Sequence, residues 1–198
     1  MSFYLCAVIY LYTQGYLSLT MRNDLIRGGS FSLSLTTNGA FTSVQDNVFD
    51  NVSVSVNGTT NSYNGYINTP VLPGSSGNDV TNSVFAYQVG PLGRYYQPTN
   101  SIFIDKGYGT AASIGLYHFC TTTNSVKDGS TTVDIGPHFI ALDANGQPLD
   151  TDGDGLPDYY EDRNGNGALD PSLLETDWQT YTTITNNVPG LQVFTPLK

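Results

Sequence analysis

Residues 150–170 read DTDGDGLPDYYEDRNGNGALD, and no other stretch of the chain has a similar composition. This stretch holds six aspartates, one glutamate and four glycines in 21 residues. Carboxylates at this density repel one another, so a chain that folds here needs a counter-charge, and a bound cation is the simplest one. The open question is whether such a cation does chemistry or holds the chain in shape.

The first twelve residues of this stretch match the spacing of a calcium-binding loop. Such loops take oxygen ligands from positions 1, 3, 5, 7, 9 and 12, with a glycine at position 6 for the sharp turn. The predicted ligands are Asp150, Asp152, Asp154, Leu156 through its carbonyl, Asp158 and Glu161, with Gly155 at position 6. Oxygen ligands without a nearby His or Cys favour Ca²⁺. The alternative is a solvated acidic loop that binds no ion.

A second loop of the same kind begins twelve residues later. Its predicted ligands are Asp162, Asn164, Asn166, Ala168 through its carbonyl, Asp170 and Glu175. Position 12 is Leu173, which offers no side-chain oxygen, so Glu175 or Asp177 has to close the site from farther along. Because two Asn replace Asp and the closing acid is out of register, a second Ca²⁺ should bind more weakly than the first.

The surroundings of these loops differ from those of an EF-hand, which has a helix on each side of its loop. The residues before Asp150, ALDANGQPL, contain Gly and Pro and are not helical. The tandem loops therefore resemble calcium repeats of the thrombospondin type 3 kind, DxDGDGxxD, and more distantly dockerin repeats. That resemblance implies a structural Ca²⁺ around which the chain wraps, in a secreted or cell-surface bacterial protein of several domains.

The composition of the whole chain predicts a mainly β protein. Charged residues make up 12% of it, about half the usual share, while Gly, Asn, Ser, Thr and Tyr are abundant, as in strands and turns. The net charge of −10 is concentrated in residues 143–177, which hold ten of the seventeen acids and a single base, Arg163. No stripe of Lys and Arg is present to bind phosphates, so nucleic acid is not expected as a partner.

Residues 1–60 are predicted to be part of an antiparallel β-sandwich. GSFSLSLTT (29–37) and FDNVSVSVNG (49–58) alternate apolar and polar residues, which is typical of strands with one polar face. QDNVFDNVSVSV (45–56) resembles the closing strand of concanavalin-like jelly-roll modules of secreted bacterial proteins. If so, the opening strands of the sandwich are missing from this chain. Residues 61–84, rich in Gly, Pro, Ser and Asn, are predicted to be a linker.

Residues 85–148 are predicted to form a second β module. NSIFIDKG (100–107) followed by VDIG (133–136) resembles the terminal coils of bacterial parallel β-helix proteins, in which Gly turns the chain and Ile points inward. Too few coils are present for a full β-helix, so a small sheet is the alternative. Residues 149–177 then form the calcium-loop segment with at most one short helix, and residues 178–198 form C-terminal strands or a tail.

The apolar start of the chain is not predicted to span a membrane. Tyr and Ser interrupt it, and it has neither a basic leader region nor a small-residue cleavage site. The chain is expected to be the C-terminal part of a longer protein. Cys6 and Cys120 lie far apart without a CxxC motif, and two isolated buried residues are favoured over a disulfide.

No catalytic motif stands out, and the chain is predicted not to be an enzyme. It contains no GxSxG, P-loop, HExxH or Cys/His arrangement. Arg94 and Lys106 are the candidate bases, but neither belongs to an acidic cluster. His118 and His138 could form a metal-binding or acid–base pair, although two half-buried strand histidines with satisfied hydrogen bonds are the favoured interpretation.

Aromatic residues offer a further alternative, an exposed platform for sugars. The candidates are Tyr95, Tyr96, Tyr159, Tyr160 and Trp178. The favoured interpretation is that Tyr159, Tyr160 and Trp178 pack the calcium segment onto its neighbouring module.

The predicted function is that of a calcium-stabilised connector in a secreted or cell-surface multidomain bacterial protein, with an adhesive or scaffolding role. Its predicted partners are neighbouring domains of a longer chain, with extracellular glycans as a further candidate. The alternative is an accessory region of a carbohydrate-active enzyme of the polysaccharide lyase kind, or a glycan-binding module.

Overall fold

A computed structural model describes residues 18–34, 41–57 and 60–182 of the chain. These ranges contain short β-strands, namely β1 (Ser18–Arg22), β2 (Leu25–Arg27), β3 (Ser30–Ser34), β4 (Phe41–Gln45), β5 (Val48–Asp50), β6 (Ser53–Asn57), β7 (Thr60–Ser62), β8 (Gly65–Ile67), β9 (Val80–Asn82), β10 (Gln88–Gly90), β11 (Gly93–Tyr96), β12 (Phe119–Cys120) and β13 (Phe139–Ile140). The described helices are α1 (Asp158–Glu161) and two 3-10 turns, Ala112–Ile114 and Pro171–Leu173. The predictions of a mainly β chain and of at most one short helix are confirmed for these residues.

The first nine strands wind into a parallel β-solenoid with three sheets. The first sheet contains β1, β4 and β7, the second β2, β5, β8 and β9, and the third β3 and β6. Every strand pairing in these sheets is parallel. In the second sheet Leu25 lies opposite Val48, and Val48 lies opposite Gly65. Each coil therefore returns the chain to the same place in the sheet, first after 23 residues and then after 17.

A ladder of Asn and Asp side chains forms the corner between the first two sheets. Asp24, Asn47, Asn64 and Asp79 occupy this corner in successive coils. The backbone N–H of each of the first three donates to the side-chain oxygen of the next residue in the ladder at 2.8 to 3.1 Å. The residue before each of them has a positive φ, between 53° and 61°. This left-handed conformation turns the chain sharply, and the ladder satisfies backbone groups that the sheets leave unpaired at the bend.

The second sheet of the solenoid is buried on both faces. The interior cluster consists of Ile26, Phe31, Val44, Phe49, Val52, Val56, Tyr66 and Leu72. The outer cluster, which joins this sheet to the second module, consists of Leu25, Val48, Ile67, Phe103 and Ile135. Burying one such side chain fully stabilises the fold by about 1.5–3 kcal/mol. The solenoid and the second module therefore share a core.

Residues 85–148 form this second module, which is mostly irregular. Its regular parts are two antiparallel pairs, β10 with β11 and β12 with β13. The backbone N–H of Tyr108 donates to the carboxylate of Asp46 in the solenoid at 2.6 Å, and the Asn23 amide donates to the carbonyl of Asp134 at 3.2 Å. Hydrogen bonds and apolar contacts thus both cross the junction.

The antiparallel prediction for residues 1–60 is wrong for the strands that the structure describes. An alternating pattern in strands this short shows which side chains share a face, but it does not show the direction of the partner strand. The partner here lies one coil away, so β3 pairs with β6 in parallel. The jelly-roll resemblance over residues 45–56 fails as well, since β5 and β6 belong to two different sheets.

The linker prediction for residues 61–84 is also corrected. Residues 60–82 carry β7, β8 and β9, which extend the first two sheets. Asn68 and Asn78 have φ values of 45° and 60° at the corners between these strands. Asn tolerates this left-handed conformation well. The Asn-rich composition that suggested a linker is therefore explained by the corners of the solenoid.

In the described ranges, the helices are all too short and too polar to cross a membrane. Cys120 is a buried free thiol. Cys6, the start of the chain over residues 1–17 and the predicted C-terminal strands beyond residue 182 lie outside the described residues.

Candidate metal centre

The first loop gathers three carboxylates around one point. One oxygen each of Asp150, Asp152 and Asp154 lies within 4.8 Å of the others, so that these side chains could hold a metal ion. Asp150 accepts the backbone N–H groups of Gly153 and Gly155 at 2.9 and 3.0 Å. Both glycines have positive φ, 76° and 95°, and this conformation carries the chain around the carboxylates.

Two buried carboxylate oxygens of this loop have no hydrogen-bond partner among the described residues, Oδ2 of Asp152 and Oε2 of Glu161. Glu161 is 1% exposed, and its Oε1 accepts the hydroxyl of Thr176 at 2.8 Å. Burial, together with repulsion from Asp154 and Asp152, raises the pKa of Glu161 to about 7 against the Thr176 hydrogen bond. A buried oxygen without a donor is costly, and a cation is the kind of partner that would satisfy both.

Asp158 and Glu161, predicted as ligands at positions 9 and 12, lie outside the 4.8 Å group. Asp158 is 1% exposed. Its carboxylate accepts the N–H and the hydroxyl of Thr151 at 2.6 and 2.7 Å and the ammonium of Lys127 at 2.8 Å. Three donors bind the oxygens of Asp158, so this side chain holds the loop in shape. The motif predicts a different role for it, that of a metal ligand.

The second loop, residues 162–173, has the same hydrogen-bond pattern as the first. The carboxylate at position 1 accepts the N–H of position 6, at 3.0 Å for Asp150 and 2.6 Å for Asp162. The side chain at position 3 accepts the N–H of position 5 at 3.1 and 3.0 Å, and that at position 5 accepts the N–H of position 7 at 2.8 and 2.7 Å. The two loops predicted from the sequence spacing therefore share the same hydrogen-bond geometry.

The two loops differ in what fills their centres. In the second loop the amide groups of Asn164 and Asn166 donate to Oδ2 of Asp170 at 2.6 and 2.7 Å. Glu175 accepts the N–H groups of Asn164 and Asp170 at 3.1 and 2.8 Å. Glu175 therefore does reach this loop from beyond position 12, where it binds backbone donors. Internal donors supply here what a cation would supply in the first loop.

The acidic segment, residues 150–182, is docked on the second module through a buried cluster. His118 donates from Nε2 to Oδ2 of Asp162 at 2.9 Å, and its ring contacts the Trp178 ring edge to face, 5.0 Å between centroids. Trp178 is 7% exposed, so its predicted packing role is confirmed. Burial and the nearby Lys127 charge lower the pKa of His118, which favours the neutral form of the ring.

Glycines of the second loop allow a close backbone contact with the same module. The N–H of Tyr117 donates to the carbonyl of Gly165 at 2.9 Å. A Cβ on Gly165 would lie 2.2 Å from the carbonyl oxygen of Gly115, and one on Gly167 would lie 2.4 Å from the Tyr117 ring. The glycines that the loop motif requires therefore also let the loop touch its neighbour.

The sequence motif gives no sign of several donors that complete the site. Lys127 and Thr176 bind Asp158 and Glu161, and the N–H and hydroxyl of Thr182 donate to Oδ2 of Asp154 at 3.3 and 2.7 Å. A ligand motif specifies one oxygen of each carboxylate side chain. It does not specify which donors bind the remaining oxygens. The one signal for Lys127 is the scarcity of bases, since the chain has only seven Lys and Arg residues.

The two histidines do not form a pair. His138 donates from Nδ1 to the Gly136 carbonyl at 2.9 Å, and its Nε2 lies 2.9 Å from the Asp128 carboxylate. His118 binds Asp162 instead. Each histidine is therefore hydrogen-bonded to a different aspartate, in agreement with the favoured interpretation of two histidines with satisfied hydrogen bonds. Arg94 and Lys106, the candidate bases, are both exposed.

The other candidate tyrosines are also placed in packing positions. Tyr96 is fully buried and stacks on Phe139 with 4.0 Å between ring centroids. Tyr95 packs half-buried against the outer cluster, and Tyr159 and Tyr160 are half-buried in the acidic segment. These residues do not present an open aromatic platform.

Comparisons with known proteins give no match: no protein-family model, curated protein or solved structure is significantly similar to this chain. The resemblance of the loops to thrombospondin type 3 repeats stays a prediction.

Proposed function

We propose that this chain is a calcium-stabilised structural region of a secreted or cell-surface multidomain bacterial protein. The observation that supports this most is the pair of buried carboxylate oxygens without a donor, Oδ2 of Asp152 and Oε2 of Glu161. They belong to the loop in which Asp150, Asp152 itself and Asp154 lie within reach of one ion. A buried carboxylate oxygen without a partner is unfavourable, and one bound cation would satisfy both oxygens.

The donor set favours Ca²⁺ over other metals. All side chains in the group offer oxygen, and Ca²⁺ takes six to eight oxygen ligands in a flexible arrangement. Asp150, Asp152 and Asp154 would hold the ion, Glu161 would close the shell, and the carbonyl of Leu156 would add a ligand. Zn²⁺ prefers His and Cys at such sites, and Mg²⁺ demands a stricter octahedron.

The role of the ion would be structural, and the chain would not be an enzyme. The ion would neutralise acids that repel one another within a segment that packs against the second module. With the ion bound, the segment is a stiff extension toward a neighbouring domain of a longer chain. Without it, the repulsion between the acids would loosen the first loop. An adhesive or scaffolding protein is the context that fits such a connector.

The test is isothermal calorimetry with CaCl₂ on the protein freed of metal with EDTA. The wild type should bind a first Ca²⁺ with a Kd of roughly 10⁻⁴ to 10⁻³ M, the range of extracellular sites. Glu161→Gln keeps the shape of the side chain but should weaken binding by about tenfold or more. The matched control is Asp105→Asn, an exposed acid outside the segment. No binding heat from the wild type would contradict the proposal.

Binding of a second, weaker Ca²⁺ in residues 162–175 stays part of the proposal. The ligands would be Asp162, Asn164, Asn166, the carbonyl of Ala168, Asp170 and Glu175. The amide-to-carboxylate bonds in this loop, at 2.6 and 2.7 Å, would have to open first. Their loss offsets part of the binding energy, so this site should fill at higher Ca²⁺ concentration than the first.

A second candidate function, glycan binding, is supported by a groove beside Tyr108. The groove of about 660 Å³ lies between the solenoid and the second module, lined by Tyr63, Tyr108, Asp105 and Lys106 among others. Tyr108 is 51% exposed, and its ring offers an apolar face with a polar hydroxyl at one end, which suits the apolar and hydroxyl-bearing faces of a sugar. Affinity electrophoresis in a panel of polysaccharides tests this, with Tyr108→Ala expected to abolish any retardation. A wild type that migrates unretarded in every gel would contradict it.

A further inference from the structure

Lys127 reaches from the second module into the acidic segment. It lies between β12 and β13, and its side chain is 21% exposed. Its ammonium is 2.8 Å from Oδ2 of Asp158 and 3.4 Å from Nδ1 of His118. The same ammonium lies 4.5 Å from the centroid of the Trp178 ring, within cation–π distance. The ammonium group of Lys127 thus contacts an acid, a histidine and the tryptophan that packs the acidic segment onto the second module.

Asp158 depends on this lysine. The acid is 1% exposed, and a buried carboxylate without a positive partner is strongly unfavourable. Asp158 in turn binds Thr151, position 2 of the first loop, through both the N–H and the hydroxyl. Lys127 is therefore connected to the backbone of the first loop through one carboxylate, although it lies outside the loop sequence.

His118 extends the connection to the second loop. Its Nε2–H donates to Asp162, whose carboxylate also accepts the N–H of Gly167. Because Nε2 carries the hydrogen, Nδ1 is free to accept from Lys127. The first residue of the second loop and the ninth residue of the first are thus held by adjacent groups of the second module.

We propose that Lys127 is a positioning residue for the first cation loop, and that it couples ion binding to the docking of the acidic segment. This inference rests on the proposed function, because it needs an ion in the first loop. Lys127 neutralises Asp158, Asp158 holds Thr151, and the loop keeps the shape that brings Asp150, Asp152 and Asp154 together. Coupling of this kind is reciprocal, so the ion also strengthens docking around Trp178.

The test compares Ca²⁺ binding to the full chain and two variants of Lys127 by calorimetry. Lys127→Met keeps the apolar stem over Trp178 and loses the charge, and it should weaken Ca²⁺ binding by about tenfold. Lys127→Arg keeps the charge and should stay within about threefold of the wild type. The control, Lys106→Met, removes an exposed lysine of the same module and should leave binding unchanged.

The fluorescence of Trp178, the single tryptophan of the chain, supplies a second readout. In the wild type Ca²⁺ should raise the urea concentration at which the emission shifts to the red, and in Lys127→Met this rise should be much smaller at the same Ca²⁺ concentration. A structural role alone would lower the midpoint equally with and without Ca²⁺. An equal loss would therefore overturn the coupling.

Two outcomes separate this inference from the proposed function. If the wild type binds no Ca²⁺, the proposed function fails. If the wild type binds and Lys127→Met binds equally or more tightly, the function stands and the inference is overturned, because Lys127 then acts as a repelling charge. Should Lys127→Met fail to fold, Thr151→Val removes one hydroxyl contact to Asp158 and should weaken binding by about fivefold. Unchanged binding by Thr151→Val would also overturn the inference.

Discussion

Position 4 of each acidic loop is a glycine, and the two glycines have different surroundings. Gly153 and Gly165 both have positive φ, 76° and 66°. A Cβ on Gly153 would meet no atom within 4 Å, whereas one on Gly165 would lie 2.2 Å from the Gly115 carbonyl oxygen. The first glycine is needed for the turn alone, and the second is needed for the turn and for docking.

Alanine at these two positions should therefore have unequal effects on stability. Gly153→Ala should lower the free energy of unfolding by about 1–2 kcal/mol, the cost of a left-handed conformation. Gly165→Ala should lower it by about 1–3 kcal/mol more, because the methyl group forces the loop away from the second module. Urea denaturation in EDTA, followed by Trp178 emission, measures both. Equal losses would show that the loop does not dock as described.

A second prediction for a single residue concerns Asp46, which is fully buried at the junction between the solenoid and the second module. Burial raises the pKa of Asp46 from 3.8 to about 6, against the Tyr108 N–H and the charges of Arg22 and His138. The folded protein therefore takes up a proton below about pH 6, while the unfolded chain does so only near pH 4. Ionised Asp46 is thus a cost that disappears as the pH falls.

Asp46→Asn should remove this part of the pH dependence. Between about pH 7.5 and 4, the wild type should gain up to about 3 kcal/mol relative to Asp46→Asn, since one pKa unit corresponds to about 1.4 kcal/mol. Asn keeps an oxygen acceptor for the Tyr108 N–H and tolerates the φ of 61° at this position. Urea midpoints across this range in EDTA give the difference. A wild type that loses stability relative to Asp46→Asn on acidification would refute the raised pKa.

The corner ladder of the solenoid holds successive coils in register with one another. Asn64 donates from its amide to the carbonyls of Val44 and Ser62 at 2.8 and 3.1 Å, and its oxygen accepts the N–H of Asn47 at 3.1 Å. One side chain thus satisfies backbone groups of two coils. The β-strands on either side have only three to five residues, so the ladder supplies much of the directional bonding.

Asn64→Ala should cost about 2–4 kcal/mol in the free energy of unfolding. Three buried backbone groups would lose their partner, and each unsatisfied group costs about 1–3 kcal/mol before the chain relaxes. Asn100→Ala is the control, since Asn100 is exposed. Chemical denaturation followed by circular dichroism measures both variants. A loss below about 0.5 kcal/mol for Asn64→Ala, the size of an ordinary surface substitution, would count against the ladder.

The sequence predicts these strands better than it predicts their pairing. SFSLS (30–34) and SVSVN (53–57) have the period of two that identifies β3 and β6, but both directions of pairing fit that pattern. The usable signal is that these two stretches lie 23 residues apart, as do Leu25-Ile26 and Val48-Phe49. A repeat at a fixed interval indicates a solenoid. The later shortening of the coil to 17 residues obscures this repeat.

Over the whole molecule, the solenoid, the second module and the acidic segment are joined by contacts of different kinds. The solenoid and the second module share apolar side chains. The acidic segment is held by buried charges, as in the bond from Lys127 to Asp158, and by the single tryptophan. The spacing of acids and glycines predicts both loops because the residues that form each loop are close together in the sequence. Lys127 and His118 come from distant parts of the chain, so only the fold reveals them.

Because of this difference, we expect the acidic segment to respond most strongly to metal ions. The outer cluster is apolar and needs no ion, whereas the first loop buries carboxylate oxygens that lack donors. Removal of Ca²⁺ should therefore loosen the acidic segment before it affects the solenoid.

The most direct measurement is the thermal unfolding of the full chain, followed by Trp178 emission, in EDTA and in about 5 mM Ca²⁺. At a concentration about tenfold above Kd, one ion stabilises the fold by about 1.4 kcal/mol. For a chain of this length the melting temperature should then rise by about 3–6 °C, and Mg²⁺ at the same concentration should raise it less. The same melting temperature in EDTA and in Ca²⁺ would contradict the account.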